Sequence, residues 1–295
     1  MKKIAIIGID NSHAWHFARY LDGKDGTKVF DDVELIGVWG DYATEDGKVG
    51  AEEIKNMSNC TVFAEHYNDF LDTADAVMIT ARHGKYHLEY AKEYIKRGIP
   101  VWVDKPITCS GETVCEMIEL AKEHNCILTG GSNVPFIPQV KALADLAKSW
   151  GDTLNGGHVT APIIMESPYG KFWFYAQHLI QMITSIFGND IKSVYAVEAK
   201  GGVHAIYRYA DYAVTAFFGT DYTITLYKEG WSALEQQRIV IDDDCYLHEL
   251  KAFHEVLQSG KNNMTPQDIA APVFVLEATL ESYTEGKEVQ ITLPY

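Results

Sequence analysis

The sequence is short of cysteine, proline, positive charge and long apolar runs, and each shortage removes a class of protein. Its five cysteines (Cys60, Cys109, Cys115, Cys126 and Cys245) are odd in number and contain no C-x-x-C pair. Neither a disulfide framework nor a tetrahedral zinc site is indicated, and a reducing cytoplasm is the expected compartment. With only nine prolines, 47% hydrophobic and 22% charged residues, the composition is that of an ordinary globule rather than a disordered or fibrous chain. Against 41 Asp and Glu stand only 25 Lys and Arg, a formal charge of -16. That field repels nucleic-acid phosphates and anionic lipid head groups, so neither nucleic acid nor membrane is expected as a partner, while a small anion held by local dipoles is still allowed. No window reaches the roughly 20 apolar residues that cross a bilayer. Lys2-Lys3 followed by Ile4–Ile9 could open a secretion signal, but the run stops at Asp10 without a small-residue cleavage site and reads as a buried strand.

What is present is an ordered alternation. At 295 residues the chain exceeds the usual single core, so two domains are expected, 1–130 and 131–295. The first alternates short apolar runs with amphipathic stretches, the pattern of a doubly wound parallel sheet. Strands are predicted at Lys3–Ile7, Glu34–Trp39, Ala76–Ala81, Pro100–Val103 and Cys126–Thr129. Ala14, Phe17, Ala18 and Leu21 share one helical face, as do Val114, Met117, Ile118 and Ala121. After Gly130-Gly131 come Gly157–Ile164, Lys192–Ala199, Ala213–Phe218, Tyr222–Lys228 and Gln236–Ile241, strands without intervening helices and hence a mainly antiparallel open sheet. The stretch Phe218–Tyr222 reads as a hairpin turn. Helices over Tyr246–Ser259 and from Thr265-Pro266 close the chain, with Pro272 kinking the last one or marking its true start.

Gly8-Ile9-Asp10-Asn11-Ser12-His13 joins the first strand to the first helix, where a doubly wound fold presents helix N–H groups to a diphosphate. Only the first glycine of G-x-G-x-x-G is present; Asp10 and His13 take the places of the other two. Asp10 must therefore turn away or cap the helix, and Asn11 and Ser12 either cap or bind phosphate. After the second strand, Asp41 can bind a ribose diol or simply cap a turn. The absence of Arg or Lys between Trp39 and Gly47 favours NAD, with NADP not excluded. The most specific segment is Val101-Trp102-Val103-Asp104-Lys105-Pro106, which puts a lysine at the carboxyl edge of a buried strand.

With these residues the chain resembles the Gfo/Idh/MocA family, which includes glucose–fructose oxidoreductase and inositol dehydrogenase relatives. Asp104-Lys105-Pro106 matches the family's E-K-P signature with Asp for Glu, and His87 matches the histidine after the third strand. Gly98–Val101, Gly131-Ser132-Asn133 with Phe136, and the tail from Glu249 to Gly286 follow the family as well. The resemblance implies a Rossmann-like dinucleotide domain, an α/β domain whose open sheet serves homo-oligomerisation, and nicotinamide-dependent redox chemistry on a small sugar or polyol. It places Gly8, Asn11, Ser12, His13, Asp41, Ala81, His87, Asp104 and Lys105 on the cofactor side and Asn133, Trp173 and Gln181 at the substrate. The family's D-x-G-x-H-x-x-D stretch becomes Phe174–Gln181 here, so His178 survives while both acids are lost. Lys105 and His178 are the expected acid–base pair, with Tyr175 as a further candidate or as packing.

The pairs His13/His16 and His83/His87 have metal-ligand spacing, but neither has a third ligand nearby in sequence, so no metal site is expected. Three readings follow: a dehydrogenase acting on CH–OH groups, a redox-neutral lyase or glycosidase that keeps its nucleotide, and a sugar-sensing or scaffold protein that has lost catalysis.

Overall fold

The computed structural model describes residues 1–24, 26–230 and 234–295. In chain order its elements are β1 (Lys2–Ile7), α1 (Ser12–Asp22), β2 (Val33–Trp39), α2 (Glu45–Met57), β3 (Ala76–Ile79), α3 (His87–Lys96), β4 (Val101–Asp104), α4 (Gly111–Glu123) and β5 (Leu128–Gly131). There follow α5 (Pro138–Trp150), β6 (Leu154–Ala161), α6 (Phe172–Phe187), β7 (Ser193–Ala199), β8 (Gly202–Arg208), β9 (Ala213–Phe218), β10 (Thr223–Lys228), β11 (Leu234–Arg238), α7 (Asp244–Ser259), α8 (Pro266–Glu285) and β12 (Val289–Gln290).

One compact unit holds Met1–Thr108, Glu112–Gly131 and Asp243–Thr265. Its sheet is parallel with order β2-β1-β3-β4-β5. Strands β3, β4 and β5 are buried at every residue, as expected of a sheet covered on both faces. Because β1 lies between β2 and β3, the connections leaving its two sides diverge at the carboxyl ends of β1 and β3, the place where such folds open a ligand crevice.

This unit does not end where the sequence suggested. The split at 130/131 left residues 243–265 with the second half, whereas α7 returns to the first. The reason is packing: Phe253 is fully buried with its ring 5.6 Å from that of Trp102 in β4. At the ends of the contact, the Tyr20 hydroxyl donates to the carbonyl of Asp243 (3.0 Å) and His254 Nε2 meets the Asp32 carboxylate at 2.9 Å.

The other unit comprises Cys109–Gly111, Ser132–Asp242 and Pro266–Tyr295. Its seven-stranded sheet has the order β11-β10-β6-β9-β8-β7-β12 and is antiparallel except at β6–β9. That arrangement corrects the hairpin expected at Phe218–Tyr222. β6 lies between β9 and β10, so these consecutive strands never pair; the ladders between sequence neighbours are β7–β8, β8–β9 and β10–β11. β8, α5 and α6 were not foreseen. α6 is apolar nearly all the way round, with thirteen of its sixteen residues buried, which hides helical periodicity and marks a core helix. Pro272 neither starts α8 nor ends it: the helix begins at Pro266 and runs through it.

Candidate functional site

In the first unit the site begins at Gly8. Its φ of +96° and the fit of its α-carbon against the chain after β3 both require glycine, since a Cβ there would lie 2.4 Å from the Ala81 nitrogen. Gly8 and Ala81 therefore bring the ends of β1 and β3 into contact at the switch point. Asn11 fixes the next step: its Oδ1 accepts the His13 N–H at 2.8 Å and caps α1, while Nδ2 donates to the Thr80 carbonyl (2.8 Å) and to Asp104 Oδ2 (3.1 Å). The Asn11 side chain is thus committed to capping and to tying three strand ends together. Ser12 hydrogen-bonds the Tyr246 phenol, whose acidity burial suppresses.

Neither residue standing in for a glycine points into the turn. Asp10 accepts the Arg82 N–H at 3.1 and 3.3 Å, and burial holds its carboxyl above the ordinary aspartate range. His13 is buried, with its Nδ1 at 3.1 Å from Asp104 Oδ1 and 3.7 Å from Glu249 Oε1. The Tyr246 ring stacks on His16 at 4.3 Å and meets His13 edge-on at 4.8 Å.

Asp104 and Lys105 occupy the end of β4, both buried, and the Lys105–Pro106 bond is cis. Asp104 Oδ1 accepts the Lys105 N–H at 2.7 Å. Burial would raise Asp104, but His13 and Lys105 outweigh it and keep the carboxylate below its usual range. Burial lowers Lys105, with Asp104 and Glu249 opposing. Glu249 is driven well above the carboxylate range by burial and by the neighbouring charge of Asp104.

The remaining cofactor-side residues fall into place differently. His87 is fully enclosed: Nε2 lies 2.7 Å from the Ala81 carbonyl and Nδ1 3.2 Å from that of Ile107. Both ring nitrogens face backbone carbonyls, so the residue clamps two loops rather than meeting a nicotinamide, and His83/His87 cannot act as a ligand pair. His83 Nδ1 accepts the Lys85 N–H. Asp41 is exposed just beyond β2, and its Oδ1 accepts the Ala43 N–H at 3.1 Å.

In the second unit a separate cluster gathers on α6. His178, 5% exposed, has Nδ1 2.7 Å from the Ser132 hydroxyl oxygen, which also accepts the Val134 N–H at 3.1 Å. Gln181 Oε1 accepts the Ser132 N–H. The places of the two missing acids are thus filled by neutral partners; a serine, not a carboxylate, orients the imidazole. Tyr175 stands edge-on to His178 at 5.4 Å and Tyr222 at 6.3 Å, while Trp173 and Asn133 are buried.

Sequence reasoning missed Glu249. Its signal was present: Cys245, Glu249, Ala252 and Val256 follow the helical repeat of one buried stripe, and an acid on such a stripe needs a partner.

The comparisons agree with this architecture. Residues 2–132 match the Gfo/Idh/MocA model, described as "Oxidoreductase family, NAD-binding Rossmann fold". Over that segment the chain matches the family's model and has the Rossmann fold that the model describes. Among solved structures it is similar to myo-inositol 2-dehydrogenase from Lactobacillus plantarum (TM-score 0.79, 18% identity, 99% of each chain covered). It is likewise similar to a myo-inositol dehydrogenase from Corynebacterium glutamicum (0.80, 17%, 99% of each). A third is scyllo-inositol dehydrogenase from Lactobacillus casei with bound NAD(H) and scyllo-inositol (0.78, 15%, 98% of this chain and 99% of that one). At these identities the likeness establishes the fold. No curated protein matches the chain by sequence.

Proposed function

We propose that the protein is an NAD-dependent oxidoreductase that moves a hydride between the nicotinamide and a CH–OH carbon of a small polyol or sugar. The observation that carries this reading is Asp104-Lys105-Pro106 at the carboxyl end of β4, with a buried lysine set beside the β1–α1 turn in a parallel sheet. The residues present fit a dinucleotide: Gly8 keeps the tight approach of β1 to β3, and the two side chains that replace glycines are committed to Arg82 and Asp104, away from the turn. Asp41, exposed beyond β2, is the residue to hold the adenosine ribose. NAD, when bound, supplies the hydride acceptor. The chain's own part is to hold the reacting hydroxyl at Lys105 Nζ, exclude water around it, and pass its proton through the lysine. The inositol dehydrogenases of like fold support a cyclic polyol as substrate class. We propose further that the open face of the second unit's sheet joins copies of the chain.

The test is nucleotide titration by tryptophan quenching, followed by assay of NADH formation across a polyol panel. Lys105→Ala is expected to cost about 10²–10⁴-fold in turnover while leaving NADH affinity within a factor of about 2, the signature of a lost acid–base group. Undiminished turnover removes Lys105 from the reaction. Nucleotide binding with no turnover on any substrate points instead to a sensing role, and substrate consumption without NADH accumulation to redox-neutral chemistry.

A further inference from the structure

The reading above leaves Glu249 unused. It is fully buried, and neither of its carboxylate oxygens has a hydrogen-bond partner among the described residues. His13 Nδ1 is likewise buried without one: it lies 3.1 Å from Asp104 Oδ1 but off the hydrogen-bond axis. Leaving one such group unpartnered costs about 1–3 kcal/mol, and more when it is charged. Two of the three residues thus carry unsatisfied electron-pair donors, and a cation set between them and Asp104 would satisfy both.

We propose that His13, Asp104 and Glu249 bind one divalent ion of the first transition row, of the Zn²⁺ or Mn²⁺ kind. Each residue offers one ligand atom, and the three atoms lie within 4.8 Å of one another. Two of the separations are 3.1 and 3.7 Å. Donors held at about 2.1 Å from a common ion are spaced about 3.0–3.4 Å apart at octahedral to tetrahedral angles, so the two contacts of His13 need shifts of only a few tenths of an ångström and the two carboxylates a closure of at most about 1.4 Å. One imidazole with two carboxylates suits zinc or manganese better than magnesium or calcium, which favour oxygen alone. The supporting shell is built as well. Asn11 Nδ2 holds Asp104 Oδ2, and the Lys105 N–H holds Oδ1. The ligands come from three elements, α1, β4 and α7, all in the first unit. The ion would lie beneath the β1–α1 turn, on the side to which His13 is turned. Its binding requires no nucleotide, so the proposal stands apart from the redox reading.

Untagged full-length protein, freed of metal by dialysis against a chelator, is titrated calorimetrically with ZnCl₂, MnCl₂ and MgCl₂ in the absence of nucleotide. The expected result is one saturable site per chain for zinc or manganese, with magnesium weaker by at least about tenfold. Glu249→Gln and His13→Asn should each weaken binding by about tenfold or more, whereas Glu255→Gln on the exposed side of the same helix leaves it unchanged. Absence of a saturable site for both ions, or equal binding in wild type and Glu249→Gln, overturns the proposal. If the variants do not fold, electron spin-echo spectra of Mn²⁺ bound to the wild-type protein decide: coupling to one imidazole nitrogen supports the site, and its absence rejects it.

Discussion

His13 and Asp104 meet across the first unit although they are distant in sequence. The imidazole at the third glycine position and the carboxylate of the lysine-bearing segment meet at 3.1 Å. Gly8 has no latitude, because its added Cβ would sit 2.4 Å from a backbone nitrogen and 2.6 Å from a backbone Cα, and its φ lies in the left-handed region. Gly8→Ala should therefore lower unfolding stability by about 2–4 kcal/mol, combining backbone strain with overpacking, as read from the denaturant midpoint at constant m-value. A loss under about 0.5 kcal/mol, the range of ordinary surface changes, would show that the turn can relax. The sequence displayed Gly8, Asn11, Asp104 and Lys105 as a set because strand ends and motif spacing are local signals. It concealed Glu249 because that partnership spans 145 positions, from Asp104 to Glu249, and only tertiary packing closes it.

At the scale of elements, α7 is a piece of the first unit contributed from late in the chain. Its ring-on-ring contact between Phe253 and Trp102 is wholly buried. Phe253→Ala should cost about 3–5 kcal/mol in stability, measured by chemical denaturation. It should also weaken whatever depends on Glu249, one helical turn away. A cost near zero would mean that α7 is not part of that core. Most strands of both units were legible from their residue pattern, including all five strands of the parallel sheet to within two residues at each end. Pairing was not legible. The β9–β10 turn has hairpin residues, yet β6 enters between those strands, an outcome settled by competition among ladders rather than by the turn. Helix α6 escaped notice because a helix buried on every side loses its polar stripe.

At the scale of the whole molecule, the proposed self-association would use the open sheet face. Tyr195 pairs across to Ile206, and Ile206 to Thr215; Val197 pairs to His204, and His204 to Phe217, giving two cross-strand rows of apolar and aromatic groups. Tyr195, Val197 and Ile206 are all exposed. Such a patch is uncommon on a lone globule. Sedimentation equilibrium is expected to give a mass above the 33.1 kDa of one chain, and Ile206→Asp, at the centre of the patch, to return it to that value with unchanged far-ultraviolet circular dichroism. A wild-type mass of one chain would refute this. No helix among the described residues is long and apolar enough to cross a membrane.

The return of residues 243–265 to the first unit also sets a timetable for biosynthesis. During translation the nascent parallel sheet lacks the Phe253 cover on Trp102 until residues 243–265 have left the ribosome. A chain stopped at Asp242 would expose that surface permanently, becoming a client for chaperones rather than a smaller dinucleotide-binding protein.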